Sequence, residues 1–385
     1  MRRVYLDNAA TTHMHEEVID AMVNAMKLNF GNPSSTHFYG RESKGIIENV
    51  RKKIAQLIGV QSAEIIFTSG GTEANNLILR SSVEHLGVQR IITSNIEHSC
   101  VDETVRSLNE NQNVEVEYVR LNTLGEIDLT DFENLLKSSD KKTLVCLMHA
   151  NNEIGNLNPV DKIGNLCQDH NALFHCDMVQ TLGHYPLNLK ELPVDFASSS
   201  AHKFHGPKGI GFAYIKKSTA LKAQITGGGQ ERNMRSGTEN LHGIIGLGKA
   251  FEMANDNFEQ EIGYVHSIKN YAIEQLKSHI PDVFFNGLCE KEESLYTLIS
   301  ISLPFKNPLI GFELDLRGIA CSQGSACQSG AAKSSRVLNS ILTEDFLNKT
   351  TPLRISFSND NTKEDVDYLV KVLEEIKDKY VASSI

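Results

Sequence analysis

The chain has 385 residues, 40% of them hydrophobic, with a net charge of -10 and a pI near 5.8. That length can bury a substantial core and suits one large domain with a smaller one. The acidic balance, with Lys and Arg scattered, argues against a nucleic-acid partner.

The first residues, MRRVYLDNAATTHMHEEV, lack the apolar run of a signal peptide, and no stretch is apolar over a membrane-spanning length. Short apolar, β-branched runs then alternate with amphipathic stretches. Val18 to Leu28 reads as a helix, and EIIFTSG, RIITSNIEH and VEVEYVRL as strands. Asp131 to Lys137 reads as a helix, followed by the strands TLVCLMHANNE, ALFHCDMVQ, VDFASSSAHK and GIGFAYI. This is the pattern of a wound α/β sheet. After about Ala250 the pattern changes to long charged helices, FEQEIGYVHSIKNYAIEQLKS and KEDVDYLVKVLEEIKDKY, around the strands LYTLISISLP and PLRISFS. A second, smaller α+β domain is expected there, with no repeats and no low-complexity linker.

The seven cysteines are odd in number, widely spaced and without CxxC pairs, so no structural zinc site and no disulfide framework is expected. A reduced, cytoplasmic setting fits them. Cys100, Cys146, Cys167, Cys176 and Cys289 sit in apolar or helical patterns and read as buried packing residues.

Several predicted strands end in polar residues, where open α/β sheets assemble their sites. FTSGGTEANN runs through Ser69, Gly70, Gly71 and Thr72 into a helix expected to begin near Glu73. Small residues there expose backbone N–H groups that, with the helix dipole, can hold an anion such as phosphate. An ordinary capped helix start reads equally well, and the GK[ST] of a Walker loop is absent. In FHCDMVQT, Asp177 and Gln180 follow an apolar run; the carboxylate either caps a helix or keeps a heteroaromatic N–H protonated. VDFASSSAHKFHGPKG sets His202 and Lys203 at a strand end, where a partly desolvated lysine can form a Schiff base. Lys208 rivals it by spacing, and a solvated loop lysine is the plain alternative. NIEHSC and HANNEIG add His98, Asn151 and Asn152 at two further strand ends.

An anion cradle, a ring-stacking group, a carboxylate and a Schiff-base lysine in one order match the needs of pyridoxal 5'-phosphate. VYLDNAATT, GNPSSTH, SGGTEANN, MHANNEIG, SAHKFHGPKGIG, GGGQERNMRSGTEN, GSACQSG and LRISF extend the match over nearly the whole chain. The sequence closely resembles the cysteine desulfurases of the NifS/IscS-like group (group I), in the fold-type I pyridoxal-phosphate superfamily. The resemblance implies an aminotransferase-like fold with a mainly parallel seven-stranded sheet flanked by helices in a large domain, residues 14–250. A small α+β domain of residues 1–13 and 251–385 would carry a mobile catalytic-cysteine loop at about 320–333. The implied reaction takes sulfur from L-cysteine, giving L-alanine and a persulfide on Cys327. A homodimer with sites at its interface would pass that sulfur to an acceptor protein, such as an iron–sulfur scaffold, for cluster assembly or other thio-cofactors.

By the same resemblance, Lys203 is the covalent anchor of the cofactor, His98 stacks on its ring and moves protons, and Asp177 pairs with the pyridinium nitrogen. Gln180 and Asn152 address the phenolic oxygen and the substrate. Gly71, Thr72, Ser200 and His202 line the phosphate site, with Thr238 arriving from the other subunit, and Arg354 clamps the substrate carboxylate. A thiol of ordinary pKa, about 8.5, is mostly protonated at neutral pH. Cys327 therefore needs a base, either His98 or the substrate.

The sequence departs from the group's pattern at a few positions. Cys321 stands where a small residue is usual and is either a bystander or a partner that traps or relays the sulfur. Asn233 replaces the glycine of ERGMRSGT, and Lys333 an acidic or apolar residue. The chain ends at KDKYVASSI, without a longer carboxyl-terminal extension, and lacks the RxGHHC context of the second desulfurase group. A NifS-like or general iron–sulfur role is expected. The alternatives are a selenocysteine lyase, another enzyme of the scaffold such as an aminotransferase, and a non-catalytic sulfur-carrier subunit.

Overall fold

The fold is a computed structural model that describes residues 2–219, 221–323 and 335–382. A short strand β1 (Val4–Tyr5) precedes two helices, α1 (Glu16–Leu28) and α2 (Phe38–Leu57). Strands and helices then alternate through β2 (Ile65–Thr68), α3 (Gly71–Leu86), β3 (Arg90–Thr93), α4 (Ser99–Gln112), β4 (Glu115–Tyr118) and α5 (Leu129–Lys137). The series continues with β5 (Thr143–Cys146), α6 (Val160–Asp169), β6 (Leu173–Asp177), β7 (Phe196–Ser200) and β8 (Gly211–Ile215).

These strands form one seven-stranded sheet in the order β2-β8-β7-β6-β5-β3-β4. Only β8 opposes the others, because it pairs antiparallel with both β2 and β7. The strands β2, β3, β5, β7 and β8 are buried at every position. A sheet covered by helices on both faces calls for strands buried at every position in place of alternation. The seven strands expected from the sequence are all present. The helix expected near Glu73 begins at Gly71, and the one expected at Val18 begins at Glu16.

Two long helices follow, α7 (Leu241–Asp256) and α8 (Phe258–His279). Next come β9 (Phe284–Phe285), β10 (Leu298–Leu303), α9 (Ile310–Asp315), β11 (Ile319–Ala320), α10 (Arg336–Ile341), α11 (Glu344–Lys349), β12 (Thr351–Ser356) and α12 (Lys363–Ala382). Here the sheet is antiparallel, ordered β12-β10-β9, and β1 pairs in parallel with β11. One hydrophobic core joins Val4 and Leu6 to residues from Val265 to Ile376. Other cores, drawn from residues between Val18 and Phe251, flank the large sheet.

Asn233 has φ +65° and follows Glu231 at +44° and Arg232 at +57°. That is the left-handed region, which suits glycine, and asparagine is among the side chains that tolerate it best. The turn is fastened from below. Arg51 donates to both carboxylate oxygens of Glu231 at 2.7 and 2.8 Å, and Phe67 N–H donates to Glu231 Oε2 at 2.8 Å.

Candidate active site

The sheet brings its polar strand ends to one edge. Asp177 is the last residue of β6 and Ser200 the last of β7, and in the parallel register Asp177 lies beside Ser198. Lys203 follows β7 by a single 3-10 turn, Ala201–Lys203. His98 caps the start of α4 beyond β3, and Gly71 begins α3 beyond β2. Together these ends wall a cavity of about 430 Å³, within the size range of small-molecule and cofactor sites.

Twelve of the residues singled out in the sequence line this cavity: Ser69, Gly70, Gly71, Thr72, His98, Asn152, Asp177, Gln180, Ser200, His202, Lys203 and Lys208. Arg354, only 2% exposed, stands behind them in β12, donating from Nη1 to the Asn152 carbonyl at 2.8 Å. Thr238 is exposed and does not belong to the cavity wall of its own chain. Asn151 turns inward, its Nδ2 donating to the Ile96 carbonyl at 2.8 Å. Cys327 and Lys333 lie outside the described residues.

The glycines at the start of α3 set the shape of one wall. Gly70 has φ +148°, and a Cβ on Gly71 would stand 2.6 Å from Val179 Cγ2. The backbone can therefore turn closely over the cavity, opening the amino terminus of a 16-residue helix to it. Three polar atoms on the wall are buried without a hydrogen-bond partner among the described residues: Thr11 Oγ1, Asn75 Oδ1 and His202 Nδ1. Such orphans signal a site built for a polar occupant. Two lysines share the wall. Lys203 is half-buried, and its Nζ donates to the carbonyls of Ala9 and Ala10 at 2.6 and 2.9 Å, whereas Lys208 is exposed. Gln180 reaches the same Ala9 carbonyl, at 3.1 Å.

Electrostatics divide the cavity. Asp177 accepts from Asn75 Nδ2 at 2.7 Å through Oδ2 and from Val179 N–H at 3.0 Å through Oδ1. The second bond closes a local turn, not a helix start, so Asp177 is not the helix cap that was one of its two readings. Burial pushes His202 down to about 4, and Lys203 and Lys208 add to the shift. Burial also lowers His98; Asp177 opposes this, and Lys203 and Arg336 reinforce it. Burial lifts Glu97, beside His98, to about 8, so that it is mostly protonated at neutral pH.

The chain matches the description of the aminotransferase class-V family over residues 4–369. The chain belongs to this family. Among class-V relatives, the cysteine desulfurase IscS of Dictyoglomus turgidum is 42% identical over 98% of this chain and 95% of its own length. That of Methanosarcina thermophila is 37% identical, covering 98% and 93%. A solved NifS-like protein superposes with a TM-score of 0.90 at 35% identity, covering 98% of this chain and all of its own. The NifS-like protein from Rickettsia africae superposes with a TM-score of 0.88 at 33% identity, covering 98% and 100%. The class-V fold, with its mainly parallel seven-stranded sheet, is as the sequence led us to expect.

Two neighbours of these residues escaped the sequence reading. Asn75, on the second turn of α3, lies within SGGTEANN but is given no role there. Cys100 packs, partly buried, against the core around Val101 and Val105 as expected, and it also lies on the cavity wall beside His98. Cys146, Cys167, Cys176 and Cys289 are buried as expected, and Cys321 packs half-buried against the second core. Helix positions one turn apart share a face, and that spacing, with its place in SGGTEANN, is the signal for Asn75 beside Gly71 and Thr72. Among the described residues no helix is long and apolar enough to cross a membrane.

Proposed function

We propose that the protein is a cysteine desulfurase that holds pyridoxal 5'-phosphate in this cavity, takes sulfur from L-cysteine and releases L-alanine. The observation that carries the reading is the convergence of three groups on one cavity. These are a lysine at the end of β7, a buried aspartate at the end of the adjacent β6, and a glycine-walled helix start. The donor set fits the cofactor's two ends, with Thr72, Ser200, His202 and the N–H groups of α3 for a phosphate and Asp177 for a protonated ring nitrogen. The orphaned Nδ1 of His202, on the same wall, would gain a partner from such a phosphate.

When bound, the cofactor supplies an electron-withdrawing ring that weakens bonds at the α-carbon of an attached amino acid. Lys203 is its covalent anchor, held ready by the Ala9 and Ala10 carbonyls. Asn152 and Gln180 orient the ring oxygen and the substrate, while Arg354 receives the substrate carboxylate. His98, kept largely neutral by burial, takes and returns a proton at the ring nitrogen that faces the cavity. The Cys327 thiolate attacks the substrate sulfur; the carbon–sulfur bond breaks, its electron pair stays on carbon, and a proton completes L-alanine. Cys327 then carries a persulfide to a sulfur-acceptor protein that serves iron–sulfur assembly.

Two chains make the working unit. Leu28, Phe30 and Phe38 are 70%, 70% and 60% exposed in the single chain, an apolar surface suited to a second copy. Thr238, exposed here, is the residue that enters the other subunit's phosphate site. Residues 14–250 form the cofactor domain, and residues 1–13 with 251–385 the smaller domain that bears Cys327. The described cysteines are unpaired thiols, which suits a reducing cytoplasm.

The test is direct. Purified protein given L-cysteine and a reductant should form alanine and sulfide in equal amounts. Cys327→Ser should abolish alanine formation while keeping the cofactor's absorbance, and Lys203→Ala should lose the absorbance of the lysine-linked cofactor. Alanine formation by Cys327→Ser at the original rate would remove the persulfide from the reading. A cofactor-free protein that never takes up pyridoxal phosphate would remove the reading altogether.

A further inference from the structure

Cys100 makes contacts that no packing role requires. Its Sγ lies 3.0 Å from His98 Nδ1, and its backbone N–H donates to the same nitrogen at 3.2 Å. The backbone N–H can only donate, so Nδ1 is the acceptor and carries no proton in the neutral ring. On its other side Sγ accepts from Asn75 Nδ2 at 3.2 Å, and the same amide nitrogen donates to Asp177 Oδ2 at 2.7 Å. Asn75 and the Thr72 hydroxyl both meet the sulfur as donors, which leaves the thiol's own hydrogen to point at Nδ1. The result is one hydrogen-bonded row: Asp177 accepts from Asn75, Asn75 also donates to Cys100, and Cys100 donates to His98.

We propose that Cys100 is a positioning residue that holds His98 as the imidazole protonated at Nε2, with Nδ1 closed off against the start of α4. The inference rests on the reading of His98 as the proton carrier. Nε2 makes no hydrogen bond to a described residue, so the single exchangeable proton of the neutral ring sits on the nitrogen left for chemistry. Protonating His98 would place a second N–H against two donors and against the positive end of a 14-residue helix. The thiol therefore disfavours the imidazolium. The charged groups facing His98 are Asp177 from β6, Lys203 beyond β7 and Arg336 from α10, and Cys100 is the neutral group among them. Burial and Asp177 lift the Cys100 thiol itself to about 12, so it remains a donor throughout the working pH range.

The experiment compares Cys100→Ala and Cys100→Ser with the wild-type holoenzyme, following the His98 ring by nitrogen NMR, assigned with His98→Gln, alongside the acid limb of kcat/KM. In the wild type, Nδ1 should resonate as an unprotonated acceptor at neutral pH. In Cys100→Ala the His98 titration midpoint and the acid limb should both rise by about half to one pH unit, the scale of one lost hydrogen bond. Cys100→Ser, which keeps an O–H donor, should return both toward the wild-type values. A protonated Nδ1 in the wild type, or a midpoint unmoved in Cys100→Ala, overturns the inference, even if that variant melts earlier. The NMR readout needs no turnover. A wild type that shows the expected ring yet releases no alanine would instead sink the proposed function and leave the positioning role standing.

Discussion

Arg354 in β12 donates from Nη2 to Asp7 Oδ1 at 2.9 Å, a contact between residues 347 apart in sequence. Ser322 Oγ donates to the same carboxylate oxygen at 2.8 Å, and Arg354 Nη1 is taken by the Asn152 carbonyl. The guanidinium is thus fixed on two sides, while Nε is buried without a partner among the described residues.

Asp7→Asn keeps the shape of this support and removes its charge. A hydrogen bond between charged groups contributes about 1.5–3 kcal/mol, so the variant should unfold at lower denaturant. Because Arg354 would then hold the substrate carboxylate less well, KM for L-cysteine should rise more than kcat falls. Unfolding and kinetics both unchanged would show that Asp7 does not orient Arg354.

The Arg51–Glu231 pair should matter for stability alone. Its side chains are 3% and 2% exposed, and Glu231 holds the backbone of Phe67 as well as the guanidinium. Removing one partner of such a pair costs about 3–5 kcal/mol when the other charge is left uncompensated; Arg51 keeps Glu48 Oε1 at 3.0 Å, which sets the loss at the lower end of that range. Glu231→Gln should therefore lower stability in urea unfolding by that order. Replacing both residues with apolar side chains of similar volume should recover much of the loss; a double variant as unstable as the single one would contradict the argument.

The protein without cofactor should be most stable near neutral pH, for reasons of opposite sign on each flank. Burial holds His149, His175 and His184 near 4 and His205 near 3, against about 6.5 in the unfolded chain. Between those values the unfolded state binds more protons, so stability falls as pH drops from about 6.5 toward 4. Glu97 and Glu261, raised by burial to about 8 and about 7, act the other way. Their contribution is complete below about 4.5 and is lost as pH climbs through 7 and 8. These four histidines outweigh two carboxyls on the acid side, and between 6.5 and 8 the carboxyls dominate, because Lys269, lowered by burial to about 8, begins to oppose them only at the top of that window. The melting temperature should peak near pH 6.5, and Glu97→Gln should flatten the alkaline decline. A melting temperature that keeps rising to pH 8 would refute this.

What the sequence determined by itself was local in origin. Apolar runs of four to six residues separated by amphipathic stretches specify buried strands and covering helices, because period and propensity act between near neighbours. The polar tails of those runs then fall at one edge of the sheet, and while each strand end by itself read equally well as an ordinary cap or loop, their combined order singled out Asp177, Lys203, His98 and Thr72, which share one cavity wall. Packing decided which side chains meet. Cys100 has the sequence pattern of a buried helix residue, and only the placement of α3 against α4 sets it between Asn75 and His98. Asp7 and Arg354, at opposite ends of the chain, become partners because β1 and β12 enter the same small unit. No periodicity carries that information, since the contact depends on where the whole backbone returns.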